Sequence, residues 1–239
     1  MVTTVASHYK NHLAPIYVWM AGGVEHAAAL GASDLAEFLG TPGYAVDLGA
    51  GFGMHTIPLA RSGHRVLAID TCRELLDVLR GQCAGAQVEA IEADLQDFVL
   101  HLSGKADLIL CMGDTLTHLD STTQVERLLR NVAGSLRPGG RFVATFRDYR
   151  NLPEGIDRFI PVRSDADRIH TCFLEEAPEH VVVHDLIHER RAEGWSTRVS
   201  SYEKLRLSPD TVVEAAEAVG LRCRIDAGAR GMVKVHAVA

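Results

Sequence analysis

Three glycines at alternate positions, Gly49, Gly51 and Gly53, follow an apolar segment that ends at Leu48. Glycine accepts a positive φ and has no Cβ, so main-chain N–H groups in such a turn can approach a bound molecule closely. Asp70 ends the next apolar run, and a carboxylate there suits the two hydroxyls of a ribose. These residues predict a nucleotide site at the carboxyl ends of two parallel strands.

The position of the third glycine distinguishes between two kinds of nucleotide-binding motif. The dinucleotide fingerprint G-x-G-x-x-G/A needs a small residue where this chain has Met54. Segment 46–53, with an acidic residue two positions before the first glycine, instead resembles the first motif of the class I S-adenosylmethionine-dependent methyltransferases. The resemblance implies an α/β fold with a doubly wound, mostly parallel sheet of seven strands, and S-adenosylmethionine as cofactor. It implies cofactor contacts at Asp47, Gly49, Ala50, Gly51, Gly53, Asp70, Thr71 and Met112.

Asp94 and Leu95 follow the third predicted strand. In the family that the chain resembles, an aspartate at this place accepts a hydrogen bond from the adenine amine. The resemblance therefore implies that Asp94 binds adenine and that the Leu95 N–H faces the ring edge. The alternative is that Asp94 only caps a helix, because aspartate is among the preferred N-cap residues.

The fourth predicted strand runs into the loop 113–119. Gly113, His118 and Leu119 resemble a loop of the glycine and sarcosine N-methyltransferases, which often have Asn where this chain has Asp114. We expect His118 and Asp114 to orient the methyl acceptor or to receive its proton, since histidine titrates near neutrality. A packed or surface histidine is the alternative for His118.

Arg147 and Tyr149 follow the fifth predicted strand, beside the expected acceptor site. The glycine-type enzymes have an Arg-Asn-Tyr sequence here, and its arginine binds the substrate carboxylate. The resemblance implies the same role for Arg147, because a guanidinium binds a carboxylate through two parallel hydrogen bonds. The alternative is an Arg147 paired with Asp148 or another surface acid.

The N-terminal segment carries apolar and aromatic residues at intervals of three and four, which predicts a helix that continues past Pro15. A leading helix often caps the cofactor pocket in small-molecule methyltransferases, so Tyr9, Tyr17 and Trp19 are candidates to line the site. An aromatic stripe that packs on the core is the alternative. A second helix is predicted over 33–39, with Ser33 as its N-cap.

Between 151 and 207 the pattern alternates apolar and polar residues and predicts an antiparallel β insertion after the fifth strand. The main domain is accordingly expected to comprise 1–150 and 208–239, with 1–40 as a helical cap and 151–207 as a lid or substrate-facing subdomain. His184 and His188 share a face of the insertion, but no third ligand stands at a recognisable spacing, so no metal site is predicted.

The net charge of −7 argues against a nucleic-acid substrate, which requires clustered Lys and Arg. A small-molecule methyl acceptor is therefore expected. The longest apolar runs are shorter than the roughly 20 residues that span a bilayer, so no membrane partner and a cytoplasmic location are expected. The five cysteines share no metal-type spacing. The oligomeric state, a homo-oligomer included, stays open.

Three functional hypotheses follow. The first is an N-methyltransferase of a small amino-carboxylate such as glycine or sarcosine. The second keeps the cofactor but has an O- or S-methyl acceptor, for which Arg147 would have no carboxylate to bind. The third is a regulatory subunit that binds the cofactor without turnover. A nicotinamide dehydrogenase fits less well, because Met54 replaces the small residue of its fingerprint.

Overall fold

The computed structural model describes residues 2–150 and 152–239. Met1 and Asn151, where the predicted cap and the predicted insertion begin, lie outside the described residues. The helices are α1 (Val5–His8), α2 (Ala14–Met20), α3 (Val24–Asp34), α4 (Thr56–Arg61), α5 (Arg73–Gln82), α6 (Thr122–Ser135) and α7 (Pro209–Glu217). The strands are β1 (Tyr44–Leu48), β2 (Arg65–Asp70), β3 (Val88–Glu92), β4 (Ala106–Cys111), β5 (Leu136–Phe146), β6 (Phe159–Ser164), β7 (Arg168–Glu176), β8 (His180–Arg191), β9 (Gly194–Leu205), β10 (Arg222–Ala227) and β11 (Val233–Val238).

The main sheet has seven strands in the order β3-β2-β1-β4-β5-β11-β10. The first five are parallel to one another, whereas β11 runs antiparallel to β5 and forms an antiparallel hairpin with β10. This arrangement confirms the predicted α/β fold. The strand order reverses direction beside β1, so the carboxyl ends of β1 and β4 border a crevice in which ligands bind in open α/β sheets.

Both faces of the main sheet are covered, which explains the continuous apolar character of its central strands. Every residue of β1 is buried, including Asp47. On one face Val46 and Leu48 pack in a cluster with side chains of α6 and α7. On the other face Ala45 packs with Leu59 of α4. This two-sided packing fixes where β1 ends and therefore where the glycine turn begins.

The insertion is a separate four-stranded antiparallel sheet in the order β6-β7-β8-β9. Its strands lie within the predicted range, and β8 alternates between buried and partly exposed residues, as a strand with one covered face should. The sheet contacts the N-terminal segment directly: Val2 pairs with Ser201, and the Thr3 N–H donates to the Ser201 carbonyl at 2.8 Å.

The N-terminal helical segment is continuous from α1 to α2 through a π-helical turn at Tyr9–Leu13. Pro15 lies in the first turn of α2, where its missing N–H disturbs the α-helical hydrogen-bond ladder least. π-Turns of this kind occur frequently at functional sites. The predicted helix across Pro15 is thus present, with a widened turn just before the proline.

The prediction of a helix over 33–39 is wrong, because the helix of this region lies earlier in the chain. Ser33 lies in the last turn of α3, which begins after Gly23, and turns follow the end of that helix. The alanine-rich sequence of α3 gave little periodic signal. Position 31 of α3 requires glycine, because a Cβ there would be 1.9 Å from the Met54 carbonyl oxygen. The backbones of α3 and of the segment after the glycine turn are therefore in direct contact.

None of the helices in the described residues is long and apolar enough to cross a membrane. The five cysteines, Cys72, Cys83, Cys111, Cys172 and Cys223, are free thiols. Burial raises the pKa of the Cys72 thiol to about 11, so this thiol stays protonated and unreactive near neutral pH.

Candidate active site

A cavity of about 1250 Å³ opens at the carboxyl ends of β1, β2 and β4. It lies between the main sheet, the N-terminal segment and the first strand of the insertion. Twelve of the predicted site residues line it: Tyr9, Tyr17, Gly49, Ala50, Gly51, Asp70, Thr71, Asp94, Leu95, Met112, His118 and Arg147. The tertiary structure therefore brings predicted residues from the N-terminal segment and the main sheet into one space.

The three glycines of the turn have different structural reasons to be glycine. All three have positive φ, at 79° for Gly49, 54° for Gly51 and 101° for Gly53. A Cβ on Gly49 would lie 2.4 Å from the Thr115 methyl group, and one on Gly53 would lie 2.5 Å from a Leu79 methyl group. A Cβ on Gly51 would meet no side chain closer than 4.0 Å, so it would extend into the cavity.

Two residues assigned to the cofactor by resemblance do not line the cavity. Gly53 is buried against α5, and Asp47 is buried within β1. The Asp47 carboxylate accepts a hydrogen bond of 2.6 Å from the Thr56 hydroxyl at the start of α4. Burial raises the pKa of Asp47, although His55 and Thr56 act in the opposite direction. Both residues pack on the side of the glycine turn away from the cavity and support its shape.

The Asp70 carboxylate is held in place by the backbone. Its two oxygens accept hydrogen bonds of 2.8 Å from the Gly51 N–H and of 2.8 Å from the Cys72 N–H. A carboxylate has about four lone-pair positions, so two acceptor positions remain for a ribose diol. Burial raises the pKa of Asp70, and the backbone N–H donors of Cys72 and Gly51 offset only part of this rise.

Asp94 has the geometry of the N-cap that the sequence left as the alternative. Its side chain accepts a hydrogen bond of 2.8 Å from the Gln96 N–H at the start of a 3₁₀ turn, Leu95–His101. The residue is nevertheless exposed and lines the cavity together with Leu95. The capping contact uses one oxygen and orients the carboxylate, so adenine binding at Asp94 stays a prediction that this geometry permits.

Tyr9 and Tyr17 line the cavity, whereas Trp19 does not. The Trp19 indole N–H donates to Asp165 at 2.5 Å, and the Arg163 guanidinium lies 5.5 Å from the ring centre. Residues two positions apart face nearly opposite sides of a helix, so Tyr17 and Trp19 cannot share one pocket. Trp19 therefore lies outside the cavity that Tyr9 and Tyr17 line.

His118 lines the cavity in an aromatic environment. Its ring centre lies 5.3 Å from that of Tyr9 and 5.8 Å from that of Tyr202. Burial lowers the pKa of His118 to about 3, and the nearby Lys204 charge adds to this effect. Its Nε2 atom is buried and has no hydrogen-bond partner among the described residues. The imidazole is therefore neutral near pH 7.

Asp114, which the sequence predicts to orient the acceptor or to receive its proton, does not line the cavity. Its side chain is buried. Its backbone has a positive φ of 78°, a strained conformation for a non-glycine residue. The carboxylate accepts hydrogen bonds from the Arg147 N–H at 2.9 Å and the Tyr149 hydroxyl at 3.0 Å, and it pairs with the Lys204 ammonium. Burial raises the pKa of Asp114, but Lys204, the Arg147 N–H and His118 together outweigh that effect, and the net pKa is lowered.

Tyr149 is also placed behind the cavity wall rather than in the cavity. Only 5% of its surface is exposed, and its hydroxyl is committed to Asp114. Burial raises its pKa to about 12, which keeps the phenol protonated. Tyr149 therefore supports Asp114 from outside the cavity, and its catalytic role stays a prediction.

Arg147 occupies the acceptor end of the cavity. Its side chain is 44% exposed, and its Nη1 lies 3.5 Å from the Asp114 carboxylate. The alternative pairing with Asp148 is absent among the described contacts of Arg147, because Asp148 binds Arg150 instead. The guanidinium thus keeps donors directed toward the cavity.

The sequence analysis missed two residues of this region, Lys204 and Tyr202, both on β9. Lys204 reaches Asp114 across ninety positions of sequence, and Tyr202 packs against His118. A lysine in an alternating strand is typical of an exposed position, so no local pattern marked it. Lys204 is instead buried, and burial lowers its pKa, but Asp114 raises it well above the ordinary value.

No group of three or more potential metal ligands occurs in the parts of the chain that the structure describes. His184 binds Ser201 at 2.7 Å and Glu175 at 2.9 Å, and His188 binds Thr197 at 2.8 Å. These contacts account for the two histidines as polar residues of the insertion sheet.

The cavity fits a nucleoside with a charged amino-acid extension. Asp70 offers free acceptor positions for a ribose, and the Gly51 position is open where a Cβ would obstruct a ligand. Tyr9, Tyr17 and His118 form an aromatic wall, which suits a positively charged centre such as a sulfonium. The volume exceeds the upper range of about 300–1000 Å³ for one drug-sized ligand, so a second molecule also has room.

Comparison with known proteins also points to methyltransferases. Residues 45–140 match the family described as "Methyltransferase domain". A cypemycin N-terminal methyltransferase from Streptomyces is 33% identical over 135 residues, which are 52% of this chain and 54% of that protein. A ubiquinone biosynthesis O-methyltransferase from Xanthomonas axonopodis is 33% identical over 103 residues, 42% of this chain and 41% of that protein. The chain thus spans about half the length of these relatives.

A third relative, a glycine/sarcosine N-methyltransferase from Halorhodospira halochloris, is 26% identical over 109 residues, 45% of this chain and 41% of that protein. Among solved structures, the CcbJ methyltransferase from Streptomyces caelestis superposes with a TM-score of 0.80 at 19% identity, over 98% of both chains. Residues 45–140 thus match a methyltransferase domain, and the sheet order and the glycine turn with its Asp70 partner are similar to those of the class I S-adenosylmethionine-dependent methyltransferases.

Proposed function

We propose that this chain binds S-adenosylmethionine and transfers its methyl group to the amine nitrogen of a small amino-carboxylate. One observation carries the proposal: a single cavity is lined by the Asp70 carboxylate, the neutral His118 imidazole and the Arg147 guanidinium. The similarity to two N-methyltransferases, one of them specific for glycine and sarcosine by its name, supports an amine acceptor.

When bound, S-adenosylmethionine supplies an electrophilic methyl group on a sulfonium whose thioether is the leaving group. The residues of this chain position the reactants. Asp70 holds the ribose, and Gly51 admits the amino-acid part of the cofactor to the main chain. Arg147 binds the acceptor carboxylate through its paired N–H donors and so fixes the direction from which the amine approaches.

His118 orients the amine rather than taking its proton. An imidazole with a pKa of about 3 cannot hold a proton from an α-amine, whose pKa lies above about 7. The unpartnered Nε2 can instead accept a hydrogen bond from an N–H of the neutral amine, which leaves the nitrogen lone pair free for in-line attack. The amine loses its proton to solvent before it binds productively.

An acceptor screen with methyl-labelled S-adenosylmethionine tests the proposal. The acceptors are glycine, sarcosine, larger amino acids and short peptides with a free amino terminus, with matched amines that lack the carboxylate. We expect Arg147→Ala to raise KM for carboxylated amines about ten- to a hundredfold, since hydrogen bonds to charged groups contribute about 1.5–3 kcal/mol. Arg222→Ala, on the exposed edge strand β10, is the matched control and should leave KM unchanged.

An O-methyl acceptor is the second candidate. It is favoured by the rings of Tyr9, Tyr17 and His118 on the cavity wall, which could stack on a flat aromatic acceptor, and by the similarity to a ubiquinone O-methyltransferase. Methylation of phenols alone, with a KM insensitive to Arg147→Ala, would establish this candidate and reject the amine. Cofactor binding with no turnover on any acceptor would point to a regulatory subunit instead.

A further inference from the structure

Three charged side chains meet at the acceptor end of the cavity, and only one of them lies in it. Asp114 and Lys204 are buried behind the wall, with 2% and 9% of their side chains exposed. Arg147 lines the cavity and is 44% exposed. The cluster thus carries one negative and two positive charges, and its surplus positive charge is the one that faces a ligand.

The contacts of Asp114 show how its charge is compensated. One oxygen accepts the Arg147 backbone N–H at 2.9 Å. The other accepts the Tyr149 hydroxyl at 3.0 Å and binds the Lys204 ammonium. The Arg147 Nη1 lies only at 3.5 Å and makes no hydrogen bond to the carboxylate among the described contacts. Lys204 is therefore the main ionic partner of Asp114.

We infer that Lys204 is a positioning residue that neutralises Asp114 and so leaves the Arg147 guanidinium available to bind the acceptor carboxylate. The inference rests on the proposed function, because it concerns the same acceptor end of the cavity. A buried carboxylate that loses its partner is costly, so it recruits the nearest cation. Without Lys204 that cation is Arg147, which a side-chain rotation would bring onto Asp114 and away from the cavity.

The burial of Lys204 agrees with this role. An unpaired ammonium would lose its charge on burial, yet Asp114 keeps the pKa of Lys204 well above its ordinary value. The side chain also lies over the Tyr149 and Tyr202 rings, with its Nζ 5.9 Å and 5.8 Å from their centres. These contacts hold the ammonium against the Asp114 carboxylate.

Three variants test the inference: Lys204→Met, Lys204→Arg and the double variant Asp114→Asn with Lys204→Met. We expect Lys204→Met to raise KM for a carboxylated amine about tenfold or more, with little change in kcat. Lys204→Arg should keep KM close to that of the wild type. The double variant should also restore KM, because no buried carboxylate then competes for Arg147.

A purely structural role for Lys204 predicts a different pattern. Two changes in a buried cluster would then impair kcat, KM and affinity for S-adenosylhomocysteine at least as much as one change. If Lys204→Met does not fold, the double variant still decides the question, since it buries no unpaired charge. A double variant with a KM as high as that of Arg147→Ala would overturn the inference.

A second readout does not depend on the acceptor. In protein labelled with ¹⁵N-arginine, the side-chain Nε–H signal of Arg147 is identified by its loss in Arg147→Lys. We expect slower hydrogen exchange of this signal in Lys204→Met and wild-type exchange in the double variant. Unchanged exchange in Lys204→Met would reject the role of Lys204. If the exchange pattern is as expected but no carboxylated acceptor is methylated in the screen, the proposed function is rejected and the role of Lys204 is retained.

Discussion

The Nε2 atom of His8 lies 2.8 Å from the Oδ2 atom of Asp185, and this contact joins the N-terminal helical segment to the inserted sheet. His170 binds the other oxygen of Asp185 at 2.7 Å, and His12 binds the Asp185 carbonyl at 3.0 Å. The two elements that cover the cavity are thus held to each other by one buried carboxylate. Tyr9, next to His8, is thereby fixed on the cavity wall.

We expect Asp185→Asn to destabilise the protein by about 3 kcal/mol, because the buried rings of His8 and His170 both lose a hydrogen bond to a charged carboxylate. Urea unfolding followed by circular dichroism measures the change. Asp167→Asn, an exposed acid in the turn before β7, is the control and should change the stability little. Equal stabilities of the two variants would contradict the structural role of Asp185.

The same carboxylate predicts a pH dependence of stability. Burial raises the pKa of Asp185, but the hydrogen bonds from His170 and His8 outweigh it and lower the pKa well below the ordinary value. The ionised form therefore stabilises the fold above roughly pH 4, and this stabilisation is lost as the pH falls further. The stability difference between wild type and Asp185→Asn should shrink between about pH 5 and about pH 2. A constant difference across that range would refute the prediction.

Gly49→Ala and Gly51→Ala should have different effects although both residues have positive φ. Each variant incurs about 1–2 kcal/mol of backbone strain. Gly49→Ala adds a collision with Thr115 and should lower the unfolding free energy further. Gly51→Ala places a methyl group in open cavity space, so it should weaken S-adenosylhomocysteine binding more than stability. Calorimetric titration and thermal unfolding of both variants separate the two losses.

Asp70→Asn should weaken binding of S-adenosylmethionine and S-adenosylhomocysteine about ten- to a hundredfold, since a charge-assisted hydrogen bond to the ribose is lost. Asp77→Asn is the matched control, because Asp77 is an exposed acid of α5 that binds Arg80. Isothermal titration calorimetry measures both affinities. Undiminished binding by Asp70→Asn would remove Asp70 from the cofactor site.

The low pKa of His118 makes a prediction about the pH dependence of the reaction. With a pKa of about 3, the imidazole stays neutral from about pH 5 upward, so its ionisation should not appear in the profile of kcat/KM between pH 5 and 9. The profile should instead follow deprotonation of the acceptor amine. His118→Ala should lower kcat and leave the shape of the profile unchanged. A step near pH 6.5 that disappears in His118→Ala would show that His118 titrates and refute the assignment.

The sequence by itself determined the main sheet and the cofactor end of the cavity. The apolar run before Gly49, the alternate glycines and the terminal Asp70 are local features, and each reflects a conformational need of the same few residues. The alternation in the insertion likewise predicted an antiparallel sheet, because the side-chain period of a strand is local.

Only the tertiary structure decided the acceptor end. Asp114 and Tyr149 stand in the positions that the resemblance marks, yet they face away from the cavity because Lys204, ninety residues after Asp114, binds the Asp114 carboxylate. Trp19 shares the aromatic stripe of the N-terminal segment but faces Asp165 of the insertion. A pattern along the chain gives the period of an element. The partner of each side chain depends on which distant element packs against it, and here that element is the inserted sheet.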